Sequence, residues 1–218
     1  MNNLTKEVFE MRYWKNYLML EKEFCKTAAY VSVNPKNSKT FSATYLKLLL
    51  EIGSEVDVVA KLLCSLLDVS KKCENISDYQ KCINKNISGF CLVTVKTVGV
   101  SSDYGMIYPW NKFNIKSPEW WKSYNAVKHN RYMKTETEDI YELSNLDNTI
   151  NALAGLFQLE LHVFSFLLNG DEVVKIPLPG SRIFELCGEQ WDNITFYRDQ
   201  AFYIKDGDLF YETGLFEY

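Results

Sequence analysis

The sequence predicts a mainly α protein. A helical bundle of four or more helices spans residues 1–170, and a small C-terminal antiparallel β meander over 171–218 packs on it. Three observations predict this. From Tyr45 to Leu66 apolar residues step by four and three without a break, the period of one helical face. From Ser144 to Leu168 apolar residues cover most of a helix circumference, which marks a helix buried on nearly every side. After Gly170 the apolar period changes to two, as in strands.

The elements follow in order. A first amphipathic helix runs from about Leu4 to Val31, with Val8, Met11, Tyr17 or Leu18, Leu20 or Phe24, and Ala28 on its apolar side. The stretch Asn34-Pro35-Lys36-Asn37-Ser38 breaks it. Ser42 is a good N-cap for the second helix. Its paired Glu51 and Glu55 suit a solvated flank better than a metal or catalytic pair. Residues 70–116 form a long, irregular excursion with a short helix at 78–84 and strands at 91–95 and 106–108. Ser117-Pro118-Glu119, with serine as cap and proline at the first helical position, opens a helix that continues through Arg131. The last long helix starts at Ser144, with Asp147 as the partner in a box-like cap, and stops at Asn169-Gly170. Strands then fall at 182–186, 193–197 and 201–205, and Asp206-Gly207 turns the chain into a final strand at 208–212.

Composition narrows the class. Hydrophobic residues make up 47% and charged residues 24% of 218, an ordinary globular balance. The most apolar stretch, Leu153 to Leu168, is interrupted by Gln158, Glu160 and His162, so no membrane span is expected. The N-terminus lacks a signal-peptide pattern, and a cytoplasmic location is expected. Cys64, Cys73, Cys82 and Cys91 recur at a spacing of nine. Zinc sites usually use two ligands close in sequence, so the expectation is reduced thiols, no metal and no cofactor. Charge is uneven: residues 112–134 hold six basic side chains and one acidic one, and residues 171–218 hold four basic and ten acidic. Such asymmetry can mark a binding surface, or two segments that lie together.

The motifs of common hydrolases, nucleotide-binding proteins and zinc proteases are missing. Only His129 and His162 are present as histidines. The stretch from Tyr124 to Arg131 is the most functional-looking. His129, with Asn125 one turn earlier and Lys128 and Arg131 beside it, has the residue types to hold a phosphate and move a proton. The competing reading is structural: Lys, His and Arg at a helix end complement its dipole, and a Trp-Trp pair is commonly core. Trp121, Tyr124 and Tyr132, interleaved with cations, also fit a nucleic-acid groove. On the last long helix Asn148, Asn151, Gly155, Gln158, His162, Ser165 and Asn169 share one face. Burying that stripe unpaired would be costly. The expectation is that it meets the Asn125–His129 helix, so that His129, Gln158 and His162 converge on one cleft; a stripe simply facing water is the alternative.

The layout, with its polar cluster from Trp121 to Arg131 followed by the Leu153–Leu168 helix, resembles the HEPN superfamily. Those proteins are small helical bundles common in prokaryotic toxin and antiphage systems. The resemblance implies a bacterial protein that binds RNA or another protein. Active HEPN ribonucleases are similar to one another in an arginine followed about four to six residues later by a histidine. Here His129 precedes Arg131, and no arginine precedes a histidine at that distance, so the resemblance implies a catalytically inert partner-binding role. Two alternatives stay open. One is a metal-independent ribonuclease or phosphoester hydrolase using His129, with Lys128 and Arg131 on phosphate and Asn125 orienting the ring. The other is a structural homodimer formed by apolar helix faces.

Overall fold

The computed structural model describes residues 4–134, 139–168 and 176–187, together with the strands at 194–197, 200–205 and 208–213. Thr5 caps the first helix by accepting the Val8 N–H at 3.3 Å. That helix comprises α1 (Lys6–Phe9), a π-helical turn (Glu10–Trp14) and α2 (Lys15–Thr27). The π turn fits one extra residue into the spiral. It brings Phe9 and Trp14, five apart, both into the core.

Ser42 accepts the Tyr45 N–H at 3.1 Å and starts α3 (Ala43–Leu67) as its sequence predicts. Tyr45, Leu49, Ile52, Val56, Val59 and Leu63 are all buried. The stripe lies against α6 (Leu146–Leu167), and this pair is the spine of the bundle. α2, α4 (Ile76–Asn86) and α5 (Glu119–Asn130) pack on α3; α1, α2 and α5 also reach α6. Every residue from 152 to 164 is buried. By length and composition α6 could cross a bilayer, contrary to the expectation that no segment could. Yet 78% of its most apolar window is buried inside the protein, so the bundle accounts for its apolarity.

Two caps differ from expectation. Asn145, not Ser144, caps α6 by accepting the Asn148 N–H at 3.0 Å, because the Ser144 carbonyl is taken by the Ser42 N–H at 3.3 Å. Pro118 rather than Ser117 occupies the cap of α5; its carbonyl accepts the Lys122 N–H at 3.2 Å and closes the first turn.

The excursion contains α4, capped by Asn75, and the strands β1 (Thr94–Thr97) and β2 (Met106–Ile107). The strand predicted at 91–95 starts three residues later, at Thr94, because residues 90–92 form a 3-10 turn in which Phe90 drops into the core. β3 (Phe184–Cys187) was expected in the C-terminal meander. It pairs with β1 instead, Val95 opposite Leu186, in a sheet ordered β2-β1-β3. Gly99 makes the approach possible: it has φ +57°, and a Cβ there would lie 2.6 Å from the Arg182 carbonyl oxygen. The meander therefore comprises β4 (Ile194–Tyr197), β5 (Gln200–Lys205) and β6 (Asp208–Thr213), antiparallel in that order. The Asp206-Gly207 turn and the Asn169-Gly170 stop lie outside the described residues.

A buried carboxyl ties α2 to the segment leading into β3. Glu21 accepts the Tyr17 hydroxyl at 2.8 Å, the Arg182 N–H at 3.0 Å and the Ser181 hydroxyl. Burial pushes its acidity down despite those donors. Beside it the Trp14 indole N–H donates to the Pro179 carbonyl at 2.9 Å.

Candidate functional site

α5 turns its aromatic side inward. Trp120, Trp121, Tyr124 and Val127 are buried, and Lys122, Lys128, His129 and Asn130 are exposed. The Trp120 indole N–H donates to the Pro109 carbonyl at 2.7 Å, and that of Trp110 to the Gly155 carbonyl at 3.1 Å. Trp121 and Tyr124, predicted as binding residues, are thus largely core; only their edges line a shallow groove. Tyr132, just beyond the helix, is 84% exposed.

Asn125 and Lys128, two of the predicted catalytic residues, bond to other side chains and backbone rather than to His129. His129 is on the surface, while His162 is 3% exposed and edge-on to Phe90 at 5.0 Å. Among the described residues, buried His162 and exposed His129 therefore do not open onto one cleft. The Asn125 amide donates to the Trp121 carbonyl at 3.0 Å, one turn back along its own helix, so it does not orient the His129 ring. Lys128 donates to the Tyr124 hydroxyl at 3.1 Å and lies 5.3 Å from that ring's centroid. Arg131 is exposed.

The polar stripe of α6 divides. Asn148 and Asn151 line a groove of about 280 Å³ with Tyr108, Lys112 and Lys116. Deeper along the helix the stripe receives the excursion. Gly155 lets Trp120 close in, since a Cβ there would be 2.9 Å from its ring. The Gln158 amide donates to the Phe90 carbonyl at 2.8 Å. His162 Nδ1 faces the Gln158 carbonyl at 2.7 Å, a partner that only an N–H can serve. Burial pushes the His162 pKa down to about 4, against the opposing pull of that carbonyl. Within the stripe, Gln158 thus anchors the irregular backbone of the excursion.

A second groove, of about 300 Å³, lies between α3, α5 and the start of α4. Asp57 and Glu74 face it from one side, Asn125 and Lys128 from the other. Of the basic residues in 112–134, Lys116 and Lys122 pair with Glu119, and Lys134 pairs with Asp139. Lys112, Lys128 and Arg131 have no acidic partner among the described residues. No unpartnered apolar face, the feature that would favour a homodimer, occurs on α3; Val58 is its one exposed large apolar residue.

Two groups gain a significance that the sequence reading did not give them. Glu160 is fully buried on α6, and neither carboxylate oxygen has a hydrogen-bond partner among the described residues. Burial first, and Glu55 second, push its pKa well above the usual carboxylate range. Cys64, Cys73 and Cys82 converge, with all three sulfurs within 4.8 Å of one another. The expectation of no metal rested on the lack of close pairs in sequence. That premise fails, because the α3–α4 packing gathers thiols that lie nine residues apart. The regular spacing was the available signal, since three thiols so placed can meet if the chain folds back between helices.

No family model matches this chain, and neither does any curated protein or solved structure.

Proposed function

We propose that this chain is a binding protein rather than a catalyst, HEPN-like in build, and that its partner is single-stranded RNA held at the exposed C-terminal end of α5. The observation that carries this reading is the sorting of side chains on and just beyond α5. Lys128, His129, Arg131 and Tyr132 all face solvent, while the groups that would make His129 a base are engaged elsewhere. Cations at a helix end meet phosphates, and an exposed ring offers a face on which a base can stack. Arginine following histidine, the reverse of the order in active HEPN ribonucleases, also supports an inert role.

Fluorescence anisotropy of a labelled single-stranded RNA, titrated with the full chain across a salt series, tests this. Binding is expected to weaken steeply with salt. Lys128→Ala with Arg131→Ala should lower the salt slope by roughly two, about one per lost phosphate contact, and leave the helical circular-dichroism signal intact. No binding at low salt, or equal binding by the double variant, removes the reading.

A further inference from the structure

Cys64 sits in the last turns of α3, Cys73 in the connection that follows, and Cys82 in the middle of α4. Cys64 and Cys82 are buried, and Cys73 is partly exposed. Their sulfurs meet at the junction of three separately placed segments. No further His, Cys, Asp or Glu joins them among the described residues.

We propose that Cys64, Cys73 and Cys82 form a binding site for one thiophilic d10 cation, Zn2+ or Cu+. The geometry is close to what such an ion needs. With metal–sulfur bonds of about 2.3 Å, tetrahedral ligands lie about 3.8 Å apart and trigonal ones about 4.0 Å apart. Sulfurs already within 4.8 Å of one another close on an ion by side-chain adjustment alone. Three thiolates suit soft cations and disfavour magnesium or calcium, which take oxygen ligands. Three sulfur ligands satisfy trigonal Cu+ outright. For Zn2+ they leave a fourth position to water or an added thiol.

The Cys73 and Cys82 thiols lie 3.9 Å from the Asp78 and Cys64 carbonyls, weak S–H contacts that loading would give up, while one outer contact suits the metal-bound form. The Asn86 amide lies 3.9 Å from the Cys82 sulfur while donating to the Cys82 carbonyl at 2.8 Å, and an N–H aimed at a ligand sulfur steadies thiolate charge. Loading forms three metal–sulfur bonds and releases up to three protons to solvent, each sulfur keeping its electron pair. The ion would pin the 68–75 connection between α3 and α4. Glu74 and Asn75, which form a wall of the groove facing Lys128, follow directly after Cys73, so occupancy sets how firmly that wall is held.

The test uses the reduced full chain, freed of metal. It is loaded with Zn2+, with Co2+ as a spectroscopic substitute, or anaerobically with Cu+, then desalted and analysed for metal. One equivalent per chain is expected. Tetrahedral cobalt bands with thiolate-to-cobalt charge transfer identify the zinc form, and retention of Cu+ alone identifies the trigonal form. Cys73→Ser, chosen because that thiol lies in a partly exposed connection, should weaken binding about 100-fold or more, given that losing an outer-shell partner already costs about 10–100-fold. Alkylation of Cys73 in the unmutated chain, followed by peptide mass spectrometry, should slow at least tenfold on loading; this readout stands even if the variant folds poorly. Retention of neither ion, equal affinity in Cys73→Ser, or Cys73 labelling unchanged by loading would mean that the three thiols only pack together.

Discussion

A Cβ placed on Gly53 of α3 would stand 2.3 Å from Cδ2 of Tyr124 on α5. Two helices approach this closely only where one of them lacks a side chain. Tyr124 in turn carries the Lys128 contact, so the seat of this ring sets where the exposed end of α5 points.

Gly53→Ala should therefore destabilise the protein. Alanine gains about 1 kcal/mol of helix propensity, but three ring atoms lie within 2.6 Å of the new carbon, and overpacking of this kind costs about 1–3 kcal/mol. A net loss of up to about 2 kcal/mol is expected in urea melts. A gain in stability would show that α5 shifts freely and that the close approach is not a constraint.

His162 makes the fold sensitive to acid. It is neutral in the folded protein, with its pKa pushed from 6.5 to about 4, while the unfolded chain takes up a proton below about 6.5. The unfolded state binds more protons across that window, so stability falls as pH drops from about 6.5 to about 4, by about 3 kcal/mol in all. His162→Asn keeps a donor for the Gln158 carbonyl and cannot be protonated. The variant's stability relative to the unmutated protein should rise by that amount as the pH falls through this window. Parallel pH profiles would mean that water reaches the ring.

Glu160 acts in the opposite direction. Its folded pKa is raised well above 4.5, so it stays protonated in the core while the unfolded chain ionises above about 4.5. The cost begins near that pH and grows as the pH rises toward the folded pKa. Glu160→Met removes two unpartnered oxygens and should stabilise the protein by about 1–3 kcal/mol at neutral pH, with a smaller gain at pH 4.5. Denaturant midpoints at both pH values decide it. A destabilised variant would point to a partner that the buried carboxyl meets in solution.

Much of the bundle is legible locally. The α3 stripe, the Ser42 cap and the near-complete burial of α6 follow from a 3.6-residue period and from residue types at helix ends. Cap positions at Ser144 and Ser117 were off by one residue, because the carbonyl of Ser144 and the seat of Pro118 answer to neighbouring backbone. The candidate site was legible only as a list of residue types. Lys128, His129 and Arg131 do lie together at a helix end, but whether Asn125 would turn toward His129 depended on one rotamer and on the Trp121 carbonyl beneath it.

By itself the sequence determined the long helices and the apolar faces of α3 and α6, because those properties depend on neighbours within a turn or two. The tertiary structure alone decided the rest. It took β3 away from the meander and paired it with β1, sent half of the α6 polar stripe under the aromatic excursion, separated His129 from His162, and drew Cys64, Cys73 and Cys82 together. Each of these depends on which surfaces meet across tens of residues. Burial and backbone hydrogen bonding choose among such long-range pairings, and local periodicity does not encode them.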